Sequence, residues 1–467
     1  MIKKLLSFAT LIAISVGLSA QPTWTQQSTG FTDVTYGMGV DVVSAVNSNI
    51  VWVKGFNGSG TSTQYKVFSR TNDGGNNWGA GHFTQMTGAI MPNVLTAVSY
   101  DTAFAIAYDT VTYDASFWRT FDGGTTWSTV AGVMNTPPTT FADGVKFWDG
   151  SKGFCYGDPV SNEFDIYTTT DGGGTWTDVP GTNMDNPVAG EYGFNGSDCA
   201  SIVSGGVGFF FTNMGRVYKT TDYGQNWAVT TTRPWTPGTA FGSNKIYASS
   251  ANWIIVAAYT TSTSTWAWKY TDNGGATWNN YVPNGTFYEY SMCYVPGSPN
   301  TLVATSPFTS TAVGVAYSDD GGLNWTDYLD PIYLQPVGAN VQALAVGFAD
   351  QQNGWVGNYD VNGVDNTILK FHDATAGLNS YQLVNGNDVN IFPNPSNGLV
   401  SFSINGAVTA NMNLKVVDVV GNVVFEQTLN VNGINATSFD FSNYAKGVYI
   451  VQITSGNDIK TQKLMIQ

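Results

Sequence analysis

One eight-residue phrase returns six times in this chain, and its spacing constrains the fold more than any other feature. The copies begin at Thr71 (TNDGGNNW), Thr120 (TFDGGTTW), Thr169 (TTDGGGTW), Thr220 (TTDYGQNW), Thr271 (TDNGGATW) and Ser318 (SDDGGLNW). Their closing residues, Trp78, Trp127, Trp176, Trp227, Trp278 and Trp325, are 49, 49, 51, 51 and 47 positions apart. So regular a period means one supersecondary unit repeated, each copy burying its apolar face against the next.

Each phrase lies between runs rich in aromatic and β-branched residues, as with Asp165-Ile166-Tyr167-Thr168 before the third copy and Thr177-Asp178-Val179 after it. Asp followed by Gly between two such runs marks a tight hairpin, because glycine reaches positive φ without strain. The acidic position is Asp73, Asp122, Asp171, Asp222, Asn273 and Asp320 in turn. A carboxylate there can accept N–H groups of its own turn, with the Ser or Thr hydroxyl adding another bond. The tryptophan then plugs a large apolar ring between neighbouring units. The pattern resembles the Asp-box (BNR) repeat of sialidases, sortilin-type receptors and photosystem II assembly-factor-like propellers. That resemblance implies a propeller in which the boxes are structural turns at the blade periphery. Function would have to be sought elsewhere on the ring.

Four short strands fit within each period, with the box joining the third to the fourth. In the third repeat they are read at Gly144–Trp148, Lys152–Gly157, Asp165–Thr169 and Trp176–Val179. Residues 341–373 supply three more strands and stop without a box, while Thr23-Trp24-Thr25-Gln26 reads as an orphan fourth strand. Pairing the two ends closes the ring. The expected fold is all-β: a seven-bladed β-propeller with Asp-box turns, followed by a small antiparallel β-sandwich.

The start, Met1-Ile2-Lys3-Lys4 and then an apolar run from Leu5 to Leu18, reads as a signal peptide over 1–20, the run being short for a membrane span. The propeller is expected at 21–376 and a polar linker at 377–389. From 390 the period disappears. IFPNPSNG (Ile391–Gly398), LKVVDVVGNVV (Leu414–Val424), DFSNYAKGVYIVQI (Asp440–Ile453) and the terminal KLMIQ follow, as strands broken by Gly-Asn turns. These motifs resemble the type A C-terminal sorting domain of the type IX (Por) secretion system of Bacteroidetes-type bacteria. The resemblance implies passage through the periplasm to the outer-membrane surface or the medium, with the secretion machinery as partner of residues 390–467.

The formal net charge is −15, from 18 basic and 33 acidic residues. Such a surface repels phosphate backbones, so nucleic acid is excluded as a partner class. Beyond the leader no segment is long and apolar enough to cross a membrane, and the protein is expected to be a monomer. Cys155, Cys199 and Cys293 do not make a disulfide framework. Buried free thiols are the favoured reading, with a Cys155–Cys199 pair as the alternative. His82 and His372 stand alone, no metal-ligand spacing occurs, and no cofactor is expected.

Ligand-binding groups on such a ring belong on the face opposite the boxes, where the second-to-third connections and the inter-blade connections emerge. Asp158, Glu163 and Glu191 are the catalytic candidates there, since paired carboxylates held about 5–10 Å apart can cleave glycosides. Tyr192, Arg233 and Trp235 are the ligand-binding candidates: aromatic surface for stacking, and a guanidinium for a bidentate carboxylate contact. A sialidase needs an arginine cluster, whereas this chain has four arginines, of which Arg70 and Arg119 precede boxes. Three functions remain open. The first is non-catalytic recognition of a glycan or protein at the cell surface. The second is a carboxylate-based glycoside hydrolase. The third, by fold analogy alone, is an envelope assembly factor.

Overall fold

The computed structural model describes residues 23–32, 38–57, 65–134, 141–236, 241–260, 263–308, 312–327, 342–359, 367–372, 388–392, 394, 396–405, 409–419, 421–432, 436–455 and 458–467. The expected leader and residues 377–387 of the expected linker lie outside them. Internal contacts separate one compact unit, Pro22–Asp373, from a second that contains Ala374–Gln467.

Among the described residues the first unit holds four four-stranded antiparallel sheets, a five-stranded sheet in which Asn284–Gly285 runs parallel to Asn324–Asp327, and an eight-stranded sheet made of two four-stranded halves, so that seven four-stranded groups can be followed. Their innermost strands are Met38–Ala45, Ile90–Ala97, Ala142–Phe147, Ala200–Val203, Phe241–Ala248, Ser291–Val295 and Gln342–Phe348, taken below as sheets 1 to 7. Sheet 7 draws its outermost strand from the other end of the unit. Thr23–Ser28 pairs antiparallel with Thr367–His372, Trp24 opposite Phe371, as the orphan-strand reading requires. One further pairing, Gly39 with Tyr359, stitches sheet 7 to sheet 1.

What holds the sheets face to face is a cycle of apolar clusters, each shared by two neighbours. Trp52 and Phe68 of sheet 1 meet Leu95 and Trp127 of sheet 2, and Phe104 of sheet 2 meets Val145 and Trp176 of sheet 3. The series runs on until Val40 and Val53 of sheet 1 meet Trp355 and Ile368 of sheet 7. A cycle of sheets that returns to its start is a propeller. Each box tryptophan sits in the cluster between its own sheet and the preceding one, and Trp24 takes that place in sheet 7. Full burial of such a side chain stabilises by about 2–3 kcal/mol.

The six repeated turns share one hydrogen-bond pattern. In the third, Thr169 Oγ1 donates to Asp171 Oδ1 (2.8 Å) and accepts from Gly173 N (2.9 Å). Asp171 also accepts from Thr175 N (2.9 Å) and Thr175 Oγ1 (2.7 Å). In the fifth turn the pattern survives an amide because one bond reverses: Asn273 Nδ2 donates to Thr277 Oγ1 (2.8 Å). Gly173 is obligatory twice over. Its φ is +82°, and a Cβ there would stand 2.1 Å from the Phe104 ring of the preceding sheet.

Sheet 3 departs from the sequence reading at one edge. Its strands are Ala142–Phe147, Gly153–Val160, Glu163–Thr169 and Thr177–Asp178. The second runs past Gly157 because Asp158 is absorbed as a bulge, with Gly157 opposite Asp165 and Pro159 opposite Phe164. A bulge tolerates the proline that otherwise argues against a strand. The connection shrinks to Ser161-Asn162, both at positive φ (52° and 71°) as a two-residue hairpin requires. Asp158 and Glu163 thus sit in strands, not in a loop.

The second unit is a sandwich of two antiparallel sheets. One holds Asp388–Phe392, Leu399–Asn405 and Ala436–Asp440; the other holds Val423–Asn432, Thr409–Asp418, Gly447–Ser455 and Asp458–Ile466. Alternate residues Leu414, Val416, Val451, Ile453, Leu464 and Ile466 fill the core with Val400, Phe441 and Tyr449. Asn394 hooks the last strand, donating to Lys463 O (2.7 Å) and accepting from Met465 N (2.9 Å).

Candidate functional site

Alternation of strand direction sends the repeated turns to one face of the ring. The starts of the inner strands and the second-to-third connections therefore emerge on the other. There five of the seven inner strands share a device that the sequence did not announce: a one-residue bulge near the start. The extra residue is Asp41 in sheet 1, Asn93 in sheet 2, Asp143 in sheet 3 and Gly242 in sheet 5, and in sheet 7 the bulge lies between Ala343 and Val346. A bulge leaves its residue out of the ladder and re-aims the side chain, as is common beside functional sites.

In sheet 3 the two bulges face each other across the strand pair, bringing Asp143 and Asp158 together. Asp143 is 1% exposed. Burial, reinforced by the charge of Asp158, pushes its carboxyl well above the usual range, so it keeps its proton and donates to Asp158. Burial also lifts Asp158 to about 6, while a hydrogen bond from Gly193 N (2.9 Å) and the Asp143 proton pull the other way. The two form one acid pair sharing a proton. Asp143 was not among the sequence candidates; a carboxylate inside the apolar run Phe141–Phe147 was the signal that could have found it.

Glu191, Tyr192 and Gly193 belong to the connection from sheet 3 to sheet 4, which is fastened to the turn after Phe211. Glu191 is buried, ion-paired with Arg216, and accepts from Thr212 Oγ1 (2.6 Å) and Val188 N (2.8 Å). Tyr192 exchanges bonds with Asn213, its N donating to Asn213 Oδ1 (2.8 Å) and its carbonyl accepting from Asn213 N (3.1 Å). Arg233 donates to Met214 O (3.4 Å), and Trp235 stacks on Phe211 with centroids 5.7 Å apart. Asp158, Glu191, Tyr192, Arg233 and Trp235 therefore gather around one turn. Tyr192 is the most open of them, at 42% exposure, while Asp158, Arg233 and Trp235 are half-buried. Glu163 stands apart at the head of its hairpin, against Gly181.

Inside the ring runs a cavity of about 950 Å³, walled by the inner strands of all seven sheets. Its charged groups are few. Asp41 is ion-paired with Lys54 (2.7 Å). Lys146 donates to Ser197 O (2.7 Å), and Lys245 to Glu289 O (3.0 Å) and Tyr290 O, lying 4.6 Å from the Trp266 ring centroid. Asp198 accepts from Tyr247 OH (2.7 Å). Burial pushes both ammoniums down in pKa, with Asp198 opposing, and pushes Glu289 up, with Lys245 opposing. Cys155, Cys199 and Cys293 are free thiols, so the alternative Cys155–Cys199 pair does not form. Among the described residues no cluster of His, Cys, Asp and Glu could hold a metal ion.

No curated protein matches the chain by sequence. Among solved structures it is similar to YCF48 bound to D1 peptide, at 13% identity and TM-score 0.46, covering 75% of this chain and 97% of that one. YCF48 from Cyanidioschyzon merolae is similar at 17% identity and TM-score 0.45, covering 75% and 99%. A GH74 xyloglucanase from Xanthomonas campestris is similar at 10% identity and TM-score 0.36, covering 91% of each chain. No helix among the described residues is long and apolar enough to cross a membrane. Residues 390–467 match the secretion system C-terminal sorting domain, which marks this chain for type IX export to the cell surface or the extracellular space.

Proposed function

We propose that the propeller is a non-catalytic recognition module, exported by its C-terminal tail and holding an extracellular glycan or protein segment on the face opposite the repeated turns. The reading includes a leader at 1–20, a propeller over 21–376 joined by a linker at 377–389, Asp-box identity for the six turns, and action as a monomer without a cofactor. The observation that carries it is the engagement of Glu191 and Asp158, the two candidate carboxylates gathered beside the turn after Phe211. Glu191 spends its oxygens on Arg216, Thr212 and Val188, and Asp158 spends its own on Gly193 and Asp143. A glycosidase needs two carboxyls about 5–10 Å apart with sugar between them, whereas Asp143 and Asp158 bond directly to each other.

The test is a glycan array and a pull-down from native envelope with the purified full chain, alongside a panel of chromogenic glycosides. Saturable binding without turnover is the expected result. Turnover that falls steeply in Asp158→Asn would overturn the reading in favour of a hydrolase, because an amide cannot serve as general acid or base. Capture of an envelope assembly complex with no free ligand would favour an assembly role.

A further inference from the structure

We infer that the central channel binds the carboxylate of an acidic sugar between Lys146 and Lys245. This rests on the recognition reading and narrows it to a ligand class.

Register places the two lysines at one level of the channel. Each is the third residue after the bulged position of its inner strand: Asp143 to Lys146 in sheet 3, Gly242 to Lys245 in sheet 5. The same level in sheets 1 and 2 carries Ser44 and Thr96. An ammonium has three donors. Lys146 uses one on Ser197 O, and Lys245 uses two on Glu289 O and Tyr290 O, so three remain. Neither lysine is in an ion pair; the pairs among the described residues are Lys54–Asp41, Arg70–Asp101 and Arg216–Glu191. Two desolvated cations that share the field of Asp198 without touching it gain from an incoming carboxylate.

Polar residues border the channel beside them. Ser197 Oγ and Asn244 Oδ1 have no hydrogen-bond partner among the described residues, and both residues border the channel. Asn93, Asn195 and Ser243 extend the polar lining. A peptide would bind such a ring by adding a strand to an inner edge. The bulges at Asp41, Asn93, Asp143 and Gly242 interrupt that edge, which favours the saccharide.

The experiment titrates the full chain with trigalacturonate, with neutral trigalactose and with a short peptide ending in a free carboxylate. The uronate is expected to bind at least tenfold more tightly than the neutral trisaccharide, and to weaken with added salt. Lys146→Met and Lys245→Met should each cost about tenfold or more, while the arginine variants retain binding. Each lysine also ties two sheets, so wild-type protein supplies a second readout. Bound uronate should slow acetylation of Lys146 and Lys245 but not of exposed Lys446, as read by mass spectrometry. Equal affinity for the neutral sugar, undiminished binding in both methionine variants, absent protection, or preference for the peptide each overturns the inference. Binding of some other glycan or protein that ignores these lysines leaves the recognition reading standing; binding of nothing removes both.

Discussion

The two faces of the propeller use repetition differently. On one, six turns repeat both residues and geometry: a hydroxyl, a carboxylate or amide and a glycine joined by the same bonds, with a tryptophan closing each copy. On the other, five inner strands repeat the bulge and change its residue, from Asp41 to Asn93 to Asp143 to Gly242 to the apolar pair Leu344 and Ala345. A side chain builds the turn, so the side chain is fixed by the turn. Backbone builds the bulge, so the side chain there answers to other demands.

The sharpest way to break this comparison is to break the ring. Deleting residues 23–28 removes the outer strand of sheet 7 and uncovers Phe348 and Phe371, which pack on Trp24. A melting temperature lower by ten degrees or more and concentration-dependent aggregation are expected, through the exposed edge; an unchanged melt would show that the faces do not depend on closure. Next comes Glu191→Gln, which leaves Arg216 buried without its counter-ion. Urea unfolding should show a loss of about 3–5 kcal/mol, and a loss under about 1 kcal/mol would mean that the connection from sheet 3 to sheet 4 is free to serve chemistry.

A smaller effect separates the turns from one another. Asp171→Ala removes the acceptor shared by Thr169 Oγ1, Thr175 N and Thr175 Oγ1 and should cost about 1 kcal/mol. Asp171→Asn should cost clearly less, since Asn273 already performs the same task by reversing one bond. Equal losses in the two variants would show that charge, not shape, makes the turn.

The remaining effect is a pH slope on the bulge face. Asp158 titrates at about 6 in the folded chain, above its unfolded value. Between the two values the folded state binds the extra proton, so this group's contribution to stability falls as pH rises from about 4 to about 6. Asp158→Asn should flatten that part of the wild-type stability curve, compared by thermal melts across pH 4–7. A difference curve with no slope there would mean that the acid pair is open to water in solution.

What the sequence made legible follows the same division. Trp78 through Trp325 announced the period, and the missing box after residue 341 announced the borrowed strand, because those features depend on residue type. The order Asp158-Pro159 read as the end of a strand, since proline withholds a ladder bond; only the partner strand reveals that a bulge accommodates it. Asp143 and Lys146 passed unnoticed for a related reason. A lone charged residue in an apolar run says nothing of where its strand faces until neighbouring strands fix the register. Glu191 looked available because its partner, Arg216, lies 25 positions further on in the next sheet.

The borrowed strand also governs time. Trp24 cannot meet Phe371 until nearly the whole propeller has been made, and contacts so remote in sequence form slowly. Six sheets can assemble from neighbouring segments while the seventh waits with one edge bare. Until the last of its strands arrives the chain remains an open arc, and closure is the step that a chaperone in the export path has most reason to guard.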